Sequence, residues 1–108
     1  MALSLRENRV RKVFVGAVLP DGVCFDRQLD TGEELTGTPT ITIESGGHVT
    51  MVVASEGITT TNQTNDTAGA KFTAVSAANR VTITVSCDTS LGATLVDYIE
   101  WEVKAAPE

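Results

Sequence analysis

The sequence predicts a single all-β domain, built as an antiparallel β-sandwich. Short segments in which apolar and polar residues alternate recur along the chain, and β-branched residues dominate them. Combinations of Gly, Pro, Asp and Asn that favour tight turns separate these segments. The 108 residues fit one domain with one core, and no segment shows the 3.6-residue periodicity of an amphipathic helix.

The first predicted strand covers residues 10–19, in which Val13 and Val15 share one face. Residues 20–22, Pro-Asp-Gly, predict a turn, because Gly accepts a positive φ and Asp bonds the turn backbone. Residues 23–25 then form a short extended segment that pairs back across this turn.

Residues 26–37 are predicted to be a polar surface connection, with Leu29 and Leu35 as its anchors to the core. Its four carboxylates are expected to be solvated: Asp26, Asp30, Glu33 and Glu34. A calcium loop would need alternating oxygen ligands around a central Gly, and that spacing is missing. We therefore interpret the segment as an acidic loop.

Residues 40–44, Thr-Ile-Thr-Ile-Glu, predict a strand of period two with Ile41 and Ile43 facing the core. Pro39 suits the first residue of this strand, where no ladder hydrogen bond is lost. A Ser-Gly-Gly turn follows, and then a strand over residues 49–54. His48 lies at the turn and is expected to be solvated.

Residues 55–70 are the longest run of small polar residues, and the run exceeds the length of common hairpin loops. We predict a long surface loop here, which is either a contact loop or a mobile connection. The candidate contact residues are Thr61, Asn62, Gln63, Asn65 and Asp66.

Three further strands are predicted over residues 71–75, 80–87 and 95–103. The middle one is the most regular, with one apolar face: Val81, Ile83, Val85 and Cys87. Trp101 of the last strand is assigned to the core. Seven or so short strands with regularly spaced turns are typical of an immunoglobulin-like sandwich.

The sandwich is expected to span residues 10–104, between an N-terminal arm of residues 1–9 and a tail of residues 105–108. Residues 1–12 carry four cations and one carboxylate, whereas the other 96 residues carry four cations and 13 carboxylates. The basic end either docks onto the acidic body of a neighbouring copy or is a frayed, solvated terminus. Its candidate interface residues are Leu3, Leu5, Arg6, Arg9, Arg11 and Lys12.

The residue pattern predicts neither catalysis nor a cofactor or metal site. His48 is the single histidine, and no Asp, Ser or Cys partner is suggested for it by the sequence, whereas a nucleophile needs a base within hydrogen-bond reach. Cys24 and Cys87 are too far apart for a zinc motif. Since the chain shows no secretion signal, two thiols are favoured over a bridge between the sheets.

The charge and hydropathy patterns also bear on partners. The acidic body argues against nucleic acid, because phosphate contacts need clustered cations. The longest apolar run is too short to cross a bilayer, and residues 1–12 lack the apolar core of a signal peptide. We expect neither nucleic acid nor a membrane as a partner.

Two short motifs belong to a recognisable outline. The first is an acidic segment that opens a strand: Asp30, Gly32, Glu33, Leu35 and Thr36. The second is the turn Thr89-Ser90-Leu91-Gly92, followed by a last strand of alternating apolar and charged residues. With these motifs, residues 25–103 resemble the small immunoglobulin-like structural proteins of tailed phages, such as fibre–tail adaptors and head–tail region proteins. Two departures are Phe72, where the family often has Tyr, and the basic arm.

The resemblance implies a non-enzymatic virion subunit made in the host cytoplasm. Such a subunit would act in assembly, as an adaptor or as a decoration protein. Its partners would be capsid, connector or tail proteins, within a homo-oligomeric ring or lattice. The alternative is a carbohydrate-binding or adhesion module that uses residues 55–70 together with Tyr98 or Trp101.

Overall fold

The computed structural model describes residues 10–44, 47–60 and 65–105, and for residues 53–60 it describes the backbone alone. The described residues form seven strands and one 3₁₀ turn, which confirms the all-β class. The elements are β1 (Val10–Phe14), β2 (Val18–Cys24), the 3₁₀ turn (Asp26–Gln28), β3 (Leu35–Glu44), β4 (Val49–Thr60), β5 (Asn65–Ala74), β6 (Ala78–Thr89) and β7 (Thr94–Lys104).

The strands form two sheets, as a sandwich requires. One has the order β1-β7-β6-β3 and the other the order β2-β5-β4. Most neighbouring strands are antiparallel, but β1 runs parallel to β7, with Val10 beside Glu100 and Phe14 beside Lys104. The predicted antiparallel sandwich is therefore confirmed as an all-β fold of two sheets, but its antiparallel pairing is wrong for β1, which lies beside the last strand instead of pairing with β2.

The predicted strand over residues 10–19 is in fact two strands in different sheets. Between them Gly16 has a φ of 99°, a backbone conformation that residues other than glycine rarely adopt. The Val15 N–H donates to the carbonyl oxygen of Lys104 at 2.9 Å, and the Gly16 N–H donates to that of Ala74 at 2.9 Å. One bond goes to each sheet, so a continuous apolar alternation conceals a change of sheet.

The predicted turn at residues 20–22 is also wrong, because these residues lie inside β2. Pairing with β5 places Gly22 beside Gly69. The backbones approach so closely that a Cβ on Gly22 would lie 2.4 Å from the carbonyl oxygen of Ala68. Here Gly permits a close approach of two strands rather than a turn.

The predicted loop over residues 55–70 is wrong for most of its length. The strand β4 continues to Thr60 and β5 begins at Asn65, so residues 61–64 alone separate them. Cross-strand pairing extends these small polar residues although their intrinsic β-propensity is modest, which is how context overrides propensity in sheets.

The strand β3 starts earlier than predicted, so Pro39 lies inside the strand and is not its first residue. The register against β6 shifts between Thr36 and Thr40, and Gly37 has a φ of 76° within this irregularity. A bulged stretch tolerates proline because its backbone donors are not all needed in the ladder.

The core lies between the two sheets, and the predicted inward faces of the last two strands are confirmed. Trp101 is fully buried, and its ring meets that of Phe72 edge to face with 5.7 Å between centroids. This contact joins β7 of one sheet to β5 of the other. The buried apolar residues of β6 and β7 are Val81, Ile83, Val85, Cys87, Ile99, Trp101 and Val103.

Candidate interaction surfaces

An open groove of about 550 Å³ lies on the outer face of the four-stranded sheet. We call it the β6–β7 groove, and its lining residues are Thr82, Thr84, Val96, Asp97, Tyr98 and Glu100. The register places Thr84 beside Tyr98 and Thr82 beside Glu100, and alternate residues of a strand project from the same face. Val96 is 58% exposed and Tyr98 is 43% exposed, so the groove presents apolar and aromatic surface.

The two carboxylates of the groove have partners within the molecule. The Arg80 guanidinium donates to Glu100 Oε1 at 3.1 Å. The Gln28 side-chain amide donates to Asp97 Oδ2 at 3.3 Å, and the Tyr98 backbone N–H donates to Asp97 Oδ1 at 2.8 Å. The charge of the groove is thus partly satisfied, which leaves its aromatic ring and hydroxyls as the groups best suited to contact a partner.

The strand β3 lies at the end of the four-stranded sheet. Past its bulge it pairs with β6 over Thr40–Glu44, and we call this five-residue segment the β3 edge. In the described part of the chain, no strand pairs with its other side. Ile41 and Ile43 pack against the core but are only half-buried. An edge of this kind presents backbone donors and acceptors to a further strand.

The two motifs that carry the family resemblance meet in space, which the sequence did not predict. The Thr89 hydroxyl donates to Glu33 Oε2 at 2.5 Å, and the Asp30 N–H donates to Glu33 Oε1 at 2.8 Å. The Thr89 hydroxyl also accepts from the N–H groups of Leu91 and Ala93. We call this group the Glu33–Thr89 cluster. It fastens the connection before β3 to the β6–β7 turn.

Glu33 is buried, with 6% exposure, so the prediction that all four carboxylates of this segment are solvated is wrong. Hydrogen bonds from the Thr89 hydroxyl and the Asp30 N–H lower the pKa of Glu33 below its ordinary value, against a smaller opposing effect of desolvation. Charged acceptors form stronger hydrogen bonds than neutral ones. The carboxylate therefore serves the fold as a buried acceptor.

A separate group of polar contacts joins the two sheets. The Trp101 indole N–H donates to Asp21 Oδ2 at 2.7 Å, and the Gly22 N–H donates to Asp21 Oδ1 at 2.9 Å. Arg11 Nη1 lies 3.7 Å from Asp21 Oδ1 and donates to the carbonyl oxygen of Pro20 at 3.1 Å. The side chain of Asp21 is 8% exposed, so this carboxylate satisfies a donor that Trp101 would otherwise bury.

The predicted interface residues of the basic end divide into two groups. Leu3, Leu5, Arg6 and Arg9 lie outside the described residues. Arg11 and Lys12 lie in β1, where Arg11 contacts Asp21 of the same chain and Lys12 is exposed. Their role at an interface stays a prediction.

The candidate contact residues around the predicted loop divide in the same way. Thr61, Asn62 and Gln63 lie outside the described residues. Asn65 and Asp66 belong to β5, where Asn65 is half-buried. Asp66 is fully buried and accepts from the Thr67 hydroxyl at 3.1 Å, so its side chain is not displayed to a partner.

The other residues considered for a catalytic or metal-binding role are His48 and the two cysteines. The His48 ring Nδ1 lies 2.7 Å from the Ser76 hydroxyl, so this half-buried ring has a partner that the sequence did not suggest. Cys24 and Cys87 are both thiols, and they lie in different sheets. Within residues 10–44, 47–60 and 65–105, no group of three or more His, Cys, Asp or Glu side chains is placed to hold a metal ion.

Comparison of the chain with protein-family models, curated proteins and solved structures finds no significant match. Across the ranges that the structure describes, no helix has the length and hydropathy to cross a bilayer.

Sequence reasoning missed four polar side chains that the fold buries: Asp21, Glu33, Asp66 and Thr89. A signal for Asp21 exists, because Leu19, Asp21 and Val23 share a face at period two. That alternation identifies an inward carboxylate only if Asp-Gly is not taken for a turn. For Glu33 and Thr89 the signal is their presence in the two resemblance motifs, but the link between them needs the fold.

Proposed function

We propose that the protein is a non-enzymatic structural subunit of a tailed-phage virion, which docks onto neighbouring virion proteins through its four-stranded sheet. The observation that carries this proposal is the outer face of that sheet. Val96 and Tyr98 project from β7 on this face and are 58% and 43% exposed, and Phe14 of β1, which is 50% exposed, lies on the same face beside Lys104. Val96 and Tyr98 are two residues apart and so adjoin on this face, and adjoining exposed apolar and aromatic groups are typical of protein-interaction surfaces.

The Glu33–Thr89 cluster supports the proposed family. The acidic segment and the Thr-Ser-x-Gly turn are the residues that resemble the phage proteins, and they form one hydrogen-bonded unit, in which the Ser90 N–H also donates to the carbonyl oxygen of Glu34 at 2.8 Å. Two matching motifs that form one structural unit are a stronger basis for family membership than two matching motifs that lie apart.

We also propose that the sandwich is immunoglobulin-like. With the strands lettered A to G in chain order, the neighbours β7-β6-β3 correspond to G-F-C and β2-β5-β4 to B-E-D, as in constant-type immunoglobulin domains. The strand β1 departs from that pattern, because it lies beside the last strand. An experimental structure with another order of these six strands would contradict the assignment.

The basic arm is proposed as the second docking element. Residues 13–108 hold most of the acidic groups, and the cations Arg6 and Arg9 precede β1. Opposite charges on two copies or on two proteins speed their encounter and select the partner. This part of the proposal depends on charge alone and is weakened by salt.

The test is to identify the protein in assembled particles. Purified virions from the phage that encodes this chain are analysed by mass spectrometry and by cryo-electron microscopy. We expect the chain to be present in the particle in a copy number that matches the particle's symmetry. The outer face of its four-stranded sheet should contact a neighbouring protein. Its absence from particles purified to constant composition would rule out a virion role.

Carbohydrate binding is the second candidate, and one observation favours it. Tyr98 lies in the β6–β7 groove beside threonine hydroxyls and carboxylates, which is the chemistry that stacks and hydrogen-bonds sugars. The other proposed contributor, Trp101, is buried. A glycan array probed with the purified protein and with Tyr98→Ala tests the idea, and equal signals for both proteins would reject the groove as the site.

A further inference from the structure

We propose that the β3 edge pairs with the same segment of a second copy, which joins two four-stranded sheets into one. This inference rests on the proposed function, since it names the partner and one contact surface of an assembly subunit. Its basis is the position of β3 at the end of its sheet and the sequence Thr-Ile-Thr-Ile-Glu of Thr40–Glu44.

The segment is complementary to itself in antiparallel pairing. With a twofold axis at Thr42, Thr42 faces Thr42 of the second copy, Ile41 faces Ile43, and Thr40 faces Glu44. Each pairing is favourable or neutral across a sheet, because β-branched pairs and threonine pairs stabilise and no like charges face each other. Closed twofold symmetry also makes the contact self-limiting at this edge.

Partial burial of the isoleucines supports the same arrangement. Ile41 and Ile43 point toward the core and pack against it, but both stay half-buried because β3 is the end of the sheet. A paired copy places two further isoleucines on the same side of the joined sheet. The apolar area removed from water then provides a driving force beyond the backbone hydrogen bonds.

The bulge limits how far the pairing extends. Gly37 and Pro39 lie in the irregular part of β3, and such features end regular pairing. The contact is therefore confined to Thr40–Glu44, which is small for a stable interface. We expect a weak dimer in isolated protein that is reinforced by other contacts in an assembly.

The first test is Thr42→Lys, which places two ammonium groups opposite each other at the twofold axis. The control is Thr36→Lys, an exposed threonine of the same strand before the bulge. Sedimentation velocity of the full chain, at up to about 1 mM protein, is expected to show a concentration-dependent dimer. Thr42→Lys should raise its dissociation constant about tenfold or more, and Thr36→Lys should change it by less than about twofold.

The second test fixes the register in a Cys24→Ser background, which removes the half-buried native thiol. With an added oxidant, Thr42→Cys should form a disulfide-linked dimer, because directly opposed Cα atoms in an antiparallel pair are about 4.5–5.5 Å apart, which a disulfide can bridge. Because the bulge shortens the strand, two Thr36 positions lie about 27 Å apart along the strands in this register, so Thr36→Cys should not form that link.

Three outcomes would overturn the inference: a wild-type monomer over the whole concentration range, a dimer that is insensitive to Thr42→Lys, or equal cross-linking by the two cysteine variants. Particle analysis separates this inference from the proposed function. If the chain is present in virions but Thr42→Lys assembles normally, the inference alone fails. If the dimer behaves as expected but virions lack the chain, the virion role alone fails.

Discussion

At the residue scale, single carboxylates hold together segments that are distant in sequence. Glu33 and Thr89 are 56 residues apart and meet at 2.5 Å, while Asp21 and Trp101 are 80 residues apart and meet at 2.7 Å. Both carboxylates accept more than one hydrogen bond. Buried polar groups with complete partners fix one arrangement of the chain, because any shift leaves a donor unsatisfied.

Stability should fall in acid through Glu33. Its pKa is lower in the folded protein than its ordinary value of 4.5, so its charged form stabilises the fold above that pH. This contribution is lost as the pH drops below 4.5 through the folded pKa. Thr89→Val removes the main cause of the shift, so the free energy of unfolding should decline less steeply with acid.

The measurement is urea denaturation at several values from about pH 6 to about pH 3. Thr36→Val is the matched control, because it removes an exposed hydroxyl from β3 and should keep the wild-type pH slope. An unchanged slope in Thr89→Val would contradict the assigned role of the Thr89 hydroxyl.

Asp21→Ala should destabilise the protein by about 1–3 kcal/mol, since the indole N–H of the buried Trp101 loses its acceptor. Asp21→Asn keeps an oxygen at the same position and should cost less. Unfolding followed by Trp101 fluorescence reports both the stability and the surroundings of the ring. Equal losses for the two variants would show that the charge, and not the hydrogen bond, is what matters.

At the scale of elements, the close approach of β2 and β5 depends on two facing glycines. A Cβ on Gly69 would lie 2.2 Å from the carbonyl oxygen of Asp21 and 2.8 Å from the Cα of Gly22. Backbone atoms cannot move aside as a flexible side chain can. The pair must therefore separate locally to accept any larger residue.

Gly69→Ala should cost about 1–3 kcal/mol, the usual range for overpacking. Thr73→Ala, in the same strand pair opposite Val18, is the control and should cost less than about 1 kcal/mol. Thermal unfolding by circular dichroism compares the two, and amide exchange locates the damage. Faster exchange is expected in β2 and β5 before other strands.

Strands with strict alternation were predictable from sequence, whereas changes of sheet were not. The faces of β6 and β7 follow directly from apolar residues at every second position. The break at Gly16 did not, because Val13, Val15 and Ala17 keep the same period across it. Periodicity records which face is buried, but it carries no information on which sheet a strand joins.

The same limit explains the errors at residues 20–22 and 55–70. Asp-Gly and the Gly, Asn, Asp and Ser residues of 55–70 favour turns in isolation. Pairing with β5 nevertheless keeps Gly22 inside β2, and pairing between β4 and β5 extends both strands into residues 55–70. The β6–β7 groove could be predicted from the sequence only in part. Alternation along β7 puts Tyr98 on the face opposite Trp101, but its grouping with Thr84 requires the β6–β7 register.

At the scale of the whole molecule, the two thiols should differ in how far the protein must unfold before they react. Cys24 is half-buried. Cys87 is buried between the sheets, where desolvation, followed by the charge of Asp88, raises its pKa. Thiolate is the reactive form, so Cys87 should react only when the sandwich opens.

Labelling with a thiol reagent in native buffer should therefore show one fast and one slow phase. Cys24→Ser should remove the fast phase, and the slow rate should rise with urea as global unfolding becomes more frequent. Two fast phases in the wild type would mean that local motion of β6 exposes Cys87, so that its labelling does not require global unfolding.

The parallel pairing of β1 with β7 also sets how the molecule responds to tension. Val10 lies beside Glu100 and Phe14 beside Lys104, so a pull on the chain ends drags the two strands past each other along their length. All the hydrogen bonds between them are then loaded together in shear, whereas a hairpin of terminal strands would open one bond at a time. A domain with this geometry resists extension between its two ends, and single-molecule pulling from the two ends would measure that resistance as one high rupture force.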